Sequence, residues 1–365
     1  MGSKPKIRGI VLAGAYQRGD SPFDDLLPRP LVPVAQTPLV TYAVRWLREG
    51  GISQATICAN SAARAVRTYL SNGFPLSMGL DYLEDWMPRG AAGCARDAGL
   101  RSDADTFVIA DGTAIPVGEL RGVLETHQVC QAALTVVAHH DPNYRATGER
   151  PLSPSGIYVF NRRVFDFIPA TGFFDIKESL IPCLHRAGER VMTHTGYGAC
   201  PRVVDAESYL ALNEWMVEWI ARQPGSVEGR CVLGEAVVHP SASVDPSARL
   251  LGPVLLGPCV TVQAGATIIG PTAIGAGSRV ERNAVVSRTV AWSDCVVGRD
   301  AMVDRCLLAN EAVVPPHESL FSALKARGPR SGRSLAERFG RDRSRRETPA
   351  GTSLPCPVQQ RAGSA

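Results

Sequence analysis

The chain has 365 residues, 45% hydrophobic and 20% charged, the balance of an ordinary globular protein with room for two separate cores. Thirty-five glycines and 27 prolines beside an aromatic share of only 6% point to a turn-rich architecture. The net charge of +4 belongs to one end: Lys325 to Arg346 holds nine Lys/Arg against two Asp/Glu, so everything else sums to −3 and a nucleic-acid partner is not expected.

From the N-terminus, Ile7 to Ala13 is an apolar run that reads as a buried first strand ending at Gly14. It is too short for the apolar region of a signal peptide, and no stretch reaches the length of a membrane span. The ten cysteines include no C-x-x-C pair, so reduced thiols in a cytoplasm are expected and a zinc site is not. Leu39 to Arg48 has helical spacing and stops at Gly50-Gly51. Ala55 to Cys58 reads as a strand, Ala62 to Leu70 as a helix and Leu80 to Leu83 as a short strand. Thr106 to Ala110 is a buried strand ending at Asp111, and Val117 to His127 is a helix. Ala132 to Val137 and Gly156 to Phe160 are strands; Ile176 to Arg186 and Ala206 to Ile220 are helices. Such alternation predicts an α/β domain over residues 1–224, Rossmann-like, with a mixed, mainly parallel sheet. Ligands of such sheets bind at the carboxyl ends of strands, where Gly14 and Asp111 fall.

A second pattern starts at Val238. Stepping by six gives Val244, Leu250, Leu256, Val262, Ile268, Ile274, Val280, Val286 and Trp292, nine aliphatics and one tryptophan over ten stations. Four places after each stands a small or β-branched residue, from Ala242 and Ala248 to Val290 and Val296. A large residue to fill a prism and a small one to let the chain turn its corner is what a three-sided coil needs. Gly257, Gly265, Gly275 and Gly277 fall where turns would call for positive φ. The array slips by one after Trp292 and continues through Val297, Val303 and Ala309. A period this short predicts a solenoid over residues 225–320, the left-handed parallel β-helix of hexapeptide-repeat proteins. That fold also occurs in acyltransferases with a catalytic histidine, but His239, alone at the start of the array, reads as an exposed opening residue. Residues 321–365 read as a basic, disordered tail.

The N-terminal domain also resembles a known family. The segment VLAGAYQRGDSPFDDLLPRPLVPVAQTPLVTYAVRWL is similar to the opening of nucleoside-diphosphate-sugar pyrophosphorylases, the sugar-phosphate nucleotidyltransferases. EDWMPRGAAG, FVIADG, SGIYVFNRRVFDFIP, FFDIKESLIPCLHRAGERV and VVDAESYLALNEW match further family segments in the same order. Together they cover roughly Ile7 to Leu320, and the likeness is of the mannose-1-phosphate guanylyltransferase kind. The resemblance implies transfer of a nucleotide from a nucleoside triphosphate to a sugar 1-phosphate, with release of pyrophosphate. It implies that Leu12, Ala13, Gly14, Ala15, Gly90 and Ala91 face the nucleotide. Arg29 and Arg18 would act on the phosphates, Arg150 and Arg202 would meet the sugar phosphate, and Asp111 would ligate Mg²⁺. Its partners would be a nucleotide or nucleotide sugar, and a homo-oligomer or a hetero-oligomer with a paralogue.

The sequence departs from that family at four points. The family's Gly-x-Gly-Thr-Arg becomes Gly14-Ala15-Tyr16-Gln17-Arg18, and the loop from Ala15 to Leu27 sums to −2. The Lys of Pro-Lys-Pro is Arg29, bulkier and not an equivalent point charge. The Trp-x-Asp metal ligand becomes Cys200-Pro201-Arg202, a cation that cannot ligate Mg²⁺. The sugar-phosphate hairpin shrinks to Tyr144–Gly156, with Glu149-Arg150-Pro151 as its remnant. Asp111 keeps a carboxylate, although Asp before Gly112-Thr113 also suits a turn. Three readings follow. An enzyme could work through a rebuilt clamp of Arg29, Arg18, Arg89 and Arg202. A silent relative could bind nucleotide or nucleotide sugar and regulate a partner. A β-helix scaffold could use its α/β part for oligomerisation alone.

Overall fold

The structure, a computed structural model, describes residues 6–14, 26–60, 63–71, 73, 76–85, 87–140, 152–196, 203, 205–223, 231–326 and 333–334. Its contacts gather into two compact units. One is built chiefly from Met1–Tyr16 and Leu39–Pro201, the other from Gln17–Pro38 and Arg202–Glu347. By compactness, the segment after the first strand therefore goes with the solenoid.

The first unit is a seven-stranded sheet of β1 (Ile7–Leu12), β2 (Gln54–Ala59), β3 (Gly79–Glu84), β4 (Thr106–Asp111), β5 (Leu134–His140), β6 (Leu152–Asn161) and β7 (Val191–Thr195). The spatial order is β3-β2-β1-β4-β6-β5-β7. Only β6 runs against its neighbours; every other pairing is parallel. The helices are α1 (Leu39–Glu49), α2 (Ala63–Leu70), α3 (Gly90–Gly99), α4 (Leu120–Val129) and α5 (Ile181–Arg186). Adjacent residues of a strand face opposite sides of the sheet. Ile10 joins the core that holds Ala92 and Ala95 of α3, whereas a side chain at Gly9 would meet Leu47 of α1 at 2.8 Å. Helices α1 and α3 thus cover opposite faces, as a mainly parallel sheet requires. The strand Val191–Thr195 had no sequence signal: it is a half-exposed edge strand without apolar alternation. Seven cysteines are free among the described residues, but Cys183 is disulfide-bonded, which corrects the expectation of thiols throughout.

The second unit is the left-handed parallel β-helix. Its three walls are parallel ladders, one running from Ala236–Val238 through Val254–Leu256, Thr272–Ile274, Val290–Ala291 and Leu307–Leu308 to Ala323–Lys325. Val238, Leu256, Val262, Ile268, Ile274, Val280 and Val286 all sit in the prism core, as the hexad spacing predicts. The slip comes earlier than predicted, and it occurs three times. Val262 pairs with Val280 eighteen residues on, but Val280 pairs with Val297 seventeen on. Ala291, not Trp292, fills the interior after Val286, and Leu308 replaces the expected Ala309. The cause is one corner. Early coils turn it on Gly252-Pro253 and Gly270-Pro271, while later coils turn it one residue shorter, with Arg288, Arg305 and Ser322 at positive φ.

Gly265 and Gly277 have positive φ, as expected, but Gly257 and Gly275 do not. They are glycines because of close approach: an added Cβ at Gly275 would lie 2.7 Å from the Trp292 backbone. The solenoid continues past residue 320. Ala323 and Leu324 are buried in a last rung, and Lys325 bonds to Glu318 at 2.8 Å. The remaining tail lies outside the described residues, except for a short antiparallel pairing at Arg333–Ser334.

One wall is apolar on its outer side too. Val237, Leu255, Ala273, Val290, Leu307 and Leu324 point outward from it, yet all are buried. Helix α6 (Ala206–Arg222), started by a reciprocal Asp205–Ser208 capping box, packs across this wall. The hairpin Pro33–Pro38 docks beside it: Gln36 Nε2 donates to the carbonyls of Leu255 and Ile274 at 3.2 and 2.8 Å. Trp292 Nε1 donates to Tyr209 Oη at 2.7 Å, and that hydroxyl donates to Pro33 O at 2.5 Å. The Asn213 side chain takes the Ala35 N–H at 2.9 Å. These bonds fix the hairpin that follows Arg29.

Candidate functional site: a crevice at the β1–β4 reversal

Strand order reverses between β1 and β4, with β2 and β3 on one side and the later strands on the other. In sheets of this kind the ligand crevice opens there, at the strands' carboxyl ends. Leu12 and Asp111 are register partners at that edge. Leu12, Gly14 and Ala91 come together, joined by Asn60, Asp85 and Cys94, which the sequence did not single out. Ala13 lies fully buried behind them, its N–H bonded to Cys58 O at 2.7 Å.

The space these residues enclose is about 20 Å³. That holds a water molecule, which needs about 10–15 Å³. Pockets for small organic ligands start at about 300 Å³. Among the described residues, side chains fill most of this space. Cys94 Sγ reaches Asp85 Oδ2 at 3.0 Å, and Cys58 Sγ points at Cys94 O at 3.9 Å. Burial pushes the Cys58 thiol well up, so it acts as a neutral filler and not as a nucleophile.

The start of α3, which the family resemblance sets against the nucleotide, is occupied by the protein itself. The N–H groups of Ala92 and Gly93 both point at Phe174 O, at 3.1 and 3.3 Å. Gly90 has φ +71°, and an added Cβ would stand 2.6 Å from Phe174 O. Its glycine is explained by backbone packing without any ligand.

The rebuilt arginine clamp is not supported. Arg89 is buried and pairs with Asp97 at 2.9 Å, and its guanidinium also donates to the carbonyls of Pro169 and Gly172. In the other unit Arg29 is 8% exposed, and its Nη1 donates to Val203 O at 3.0 Å. A cation the family would turn toward phosphate here ties the chain before the hairpin to the chain before α6. Ala15, Arg18, Arg150 and Arg202 lie outside the described residues.

Asp111 closes a turn: its Oδ1 accepts from the Thr113 N–H at 2.9 Å and from Thr113 Oγ1 at 2.7 Å. Among the described residues no group of three or more His, Cys, Asp or Glu side chains could hold a metal ion. Hard cations such as Mg²⁺ call for several oxygen ligands, and this donor set does not fit one.

An α/β unit with its crevice at the strand reversal, followed by a left-handed parallel β-helix, defines the architecture of a hexapeptide-bearing sugar-phosphate nucleotidyltransferase. No family model matches the chain. Curated relatives agree with the architecture. A mannose-1-phosphate guanylyltransferase from Mycobacterium tuberculosis is 22% identical over 268 residues, 68% of this chain and 74% of its own. A probable mannose-1-phosphate guanylyltransferase from rice is 22% identical over 87% of this chain and 98% of its own, spanning both units. A low-salt glycan biosynthesis nucleotidyltransferase from Haloferax volcanii is 25% identical over 63% of this chain. The chain is thus similar to sugar-phosphate nucleotidyltransferases over most of its length. Among the described residues no helix is long and apolar enough to cross a membrane.

Proposed function

We propose that this chain is a catalytically silent relative of the sugar-1-phosphate nucleotidyltransferases that serves as a non-enzymatic subunit beside an active paralogue. The observation that carries the reading is Arg29, buried and bonded to Val203 O where the family resemblance calls for a phosphate-facing cation. The closed crevice supports it, because a space of about 20 Å³ must be rebuilt before a nucleobase can enter. Transfer to a phosphate draws most of its rate from prearranged positive charge, and each such group is worth several kcal/mol. With Arg89 and Arg29 both engaged by the fold, the described residues present no such arrangement.

The test is calorimetric titration of nucleoside triphosphates and of nucleotide sugars into the full chain, each with Mg²⁺ and with chelator. No Mg²⁺-dependent triphosphate binding is expected at micromolar to millimolar concentrations. Metal-independent binding of a nucleotide sugar would turn the subunit into a sensor while leaving it silent. Tight, Mg²⁺-dependent triphosphate binding would overturn the proposal.

A further inference from the structure

His239 does not stand alone. It sits on the first corner of the solenoid, and its Nδ1 lies 2.8 Å from Ser241 Oγ and 3.2 Å from the Ser241 N–H. An amide can only donate, so Nδ1 is the acceptor and the ring proton is on Nε2. The hydroxyl then also donates to Nδ1. One coil later, at the same corner, Cys259 donates its N–H to Ser241 Oγ at 3.0 Å, and its Sγ lies 3.7 Å from that oxygen. The hydroxyl has one lone pair left for the thiol proton. Thiol, hydroxyl and imidazole thus form a relay, in which the single Nδ1 lone pair is shared between the Ser241 hydroxyl and the Ser241 N–H.

Access favours Cys259 as well. It is exposed, held at φ +56°, and the next coil places Gly277 at this corner, with no side chain to cover the sulfur. Cys231 is another exposed cysteine of the same unit.

We propose that Cys259 is a reactive thiol, activated by His239 through Ser241, which takes low-molecular-weight disulfides into a mixed disulfide. The thiol proton passes to Ser241 Oγ as the hydroxyl proton passes to Nδ1, at the cost of the long Ser241 N–H bond. The thiolate then attacks one sulfur of the disulfide. A new Sγ–S bond forms, the old S–S bond breaks, and the leaving thiolate takes the proton from His239. Cys259 is oxidised and the departing thiol is reduced.

The experiment uses the full chain with oxidised glutathione, and peptide mass spectrometry reads each cysteine separately. Cys259 is expected to form the mixed disulfide about ten-fold faster than Cys231 near neutral pH, because His239 takes its proton through Ser241 as the sulfur attacks. His239→Gln and Ser241→Ala should each bring Cys259 down to the Cys231 rate and leave Cys231 unchanged. Equal rates at the two cysteines in the unaltered chain would overturn the proposal. So would a Cys259 rate that neither substitution lowers.

Discussion

At the scale of single residues, the sequence shows which chemistry was replaced but not where the replacement went. Arginine for lysine at position 29 is visible on inspection. That its guanidinium ends on Val203 O depends on a contact 174 residues away, which no local pattern encodes. Arg89 is similar: an extra cation beside a glycine-rich turn suggests a phosphate ligand, yet Asp97, two turns along α3, claims it. His127 was read only as the end of a helix. It is 3% exposed, with Nδ1 2.8 Å from Thr135 Oγ1 and Nε2 3.1 Å from Asn161 Oδ1. Burial lowers its pKa below 6.5, so the fold holds the neutral ring. Below that value the unfolded chain takes up the proton first, and stability falls as the pH drops. Urea unfolding at pH 7.5 and 5.5 should show a larger acid loss for the unaltered chain than for His127→Gln. Equal losses would mean that His127 titrates alike in both states.

At the scale of elements, the solenoid was the most legible part, because its period is short and each station faces the same interior. What the period hid were the shortened corners, since a lost residue only resets the count. The outer apolar wall was also in the sequence. Val237, Leu255 and Ala273 recur every eighteen residues, a period seen only once three hexads are taken as one coil. The tail boundary was misread because composition alone outweighed Leu324. A chain ending at Ala323 loses that buried leucine, the Lys325–Glu318 bond and the ladder of the last rung. Its melting temperature should fall by several degrees, since removing a buried leucine costs about 2–5 kcal/mol. A chain ending at Ser334 should melt like the full chain. Identical melting of both truncations would contradict the extended solenoid.

At the scale of the whole molecule, the proposed silence separates lineage from activity. The order of family segments and the appended β-helix survive, and relatives align across both units at about one residue in five. Fold is kept by many interchangeable apolar contacts, so it tolerates such drift. Transfer chemistry depends on a few charges at fixed places, and those places carry the departures. The crevice between β1 and β4 persists as topology, and among the described residues Cys58, Cys94 and Asp85 leave about 20 Å³ at its edge.

The central claim is tested most directly by pyrophosphate release from the full chain. Each nucleoside triphosphate would be supplied with mannose, glucose and heptose 1-phosphates in excess Mg²⁺, beside an active guanylyltransferase as positive control. The account predicts no release above the protein-free background for any pair. Sustained Mg²⁺-dependent release that Arg29→Ala abolishes would contradict it, and would return Arg29 to the phosphates.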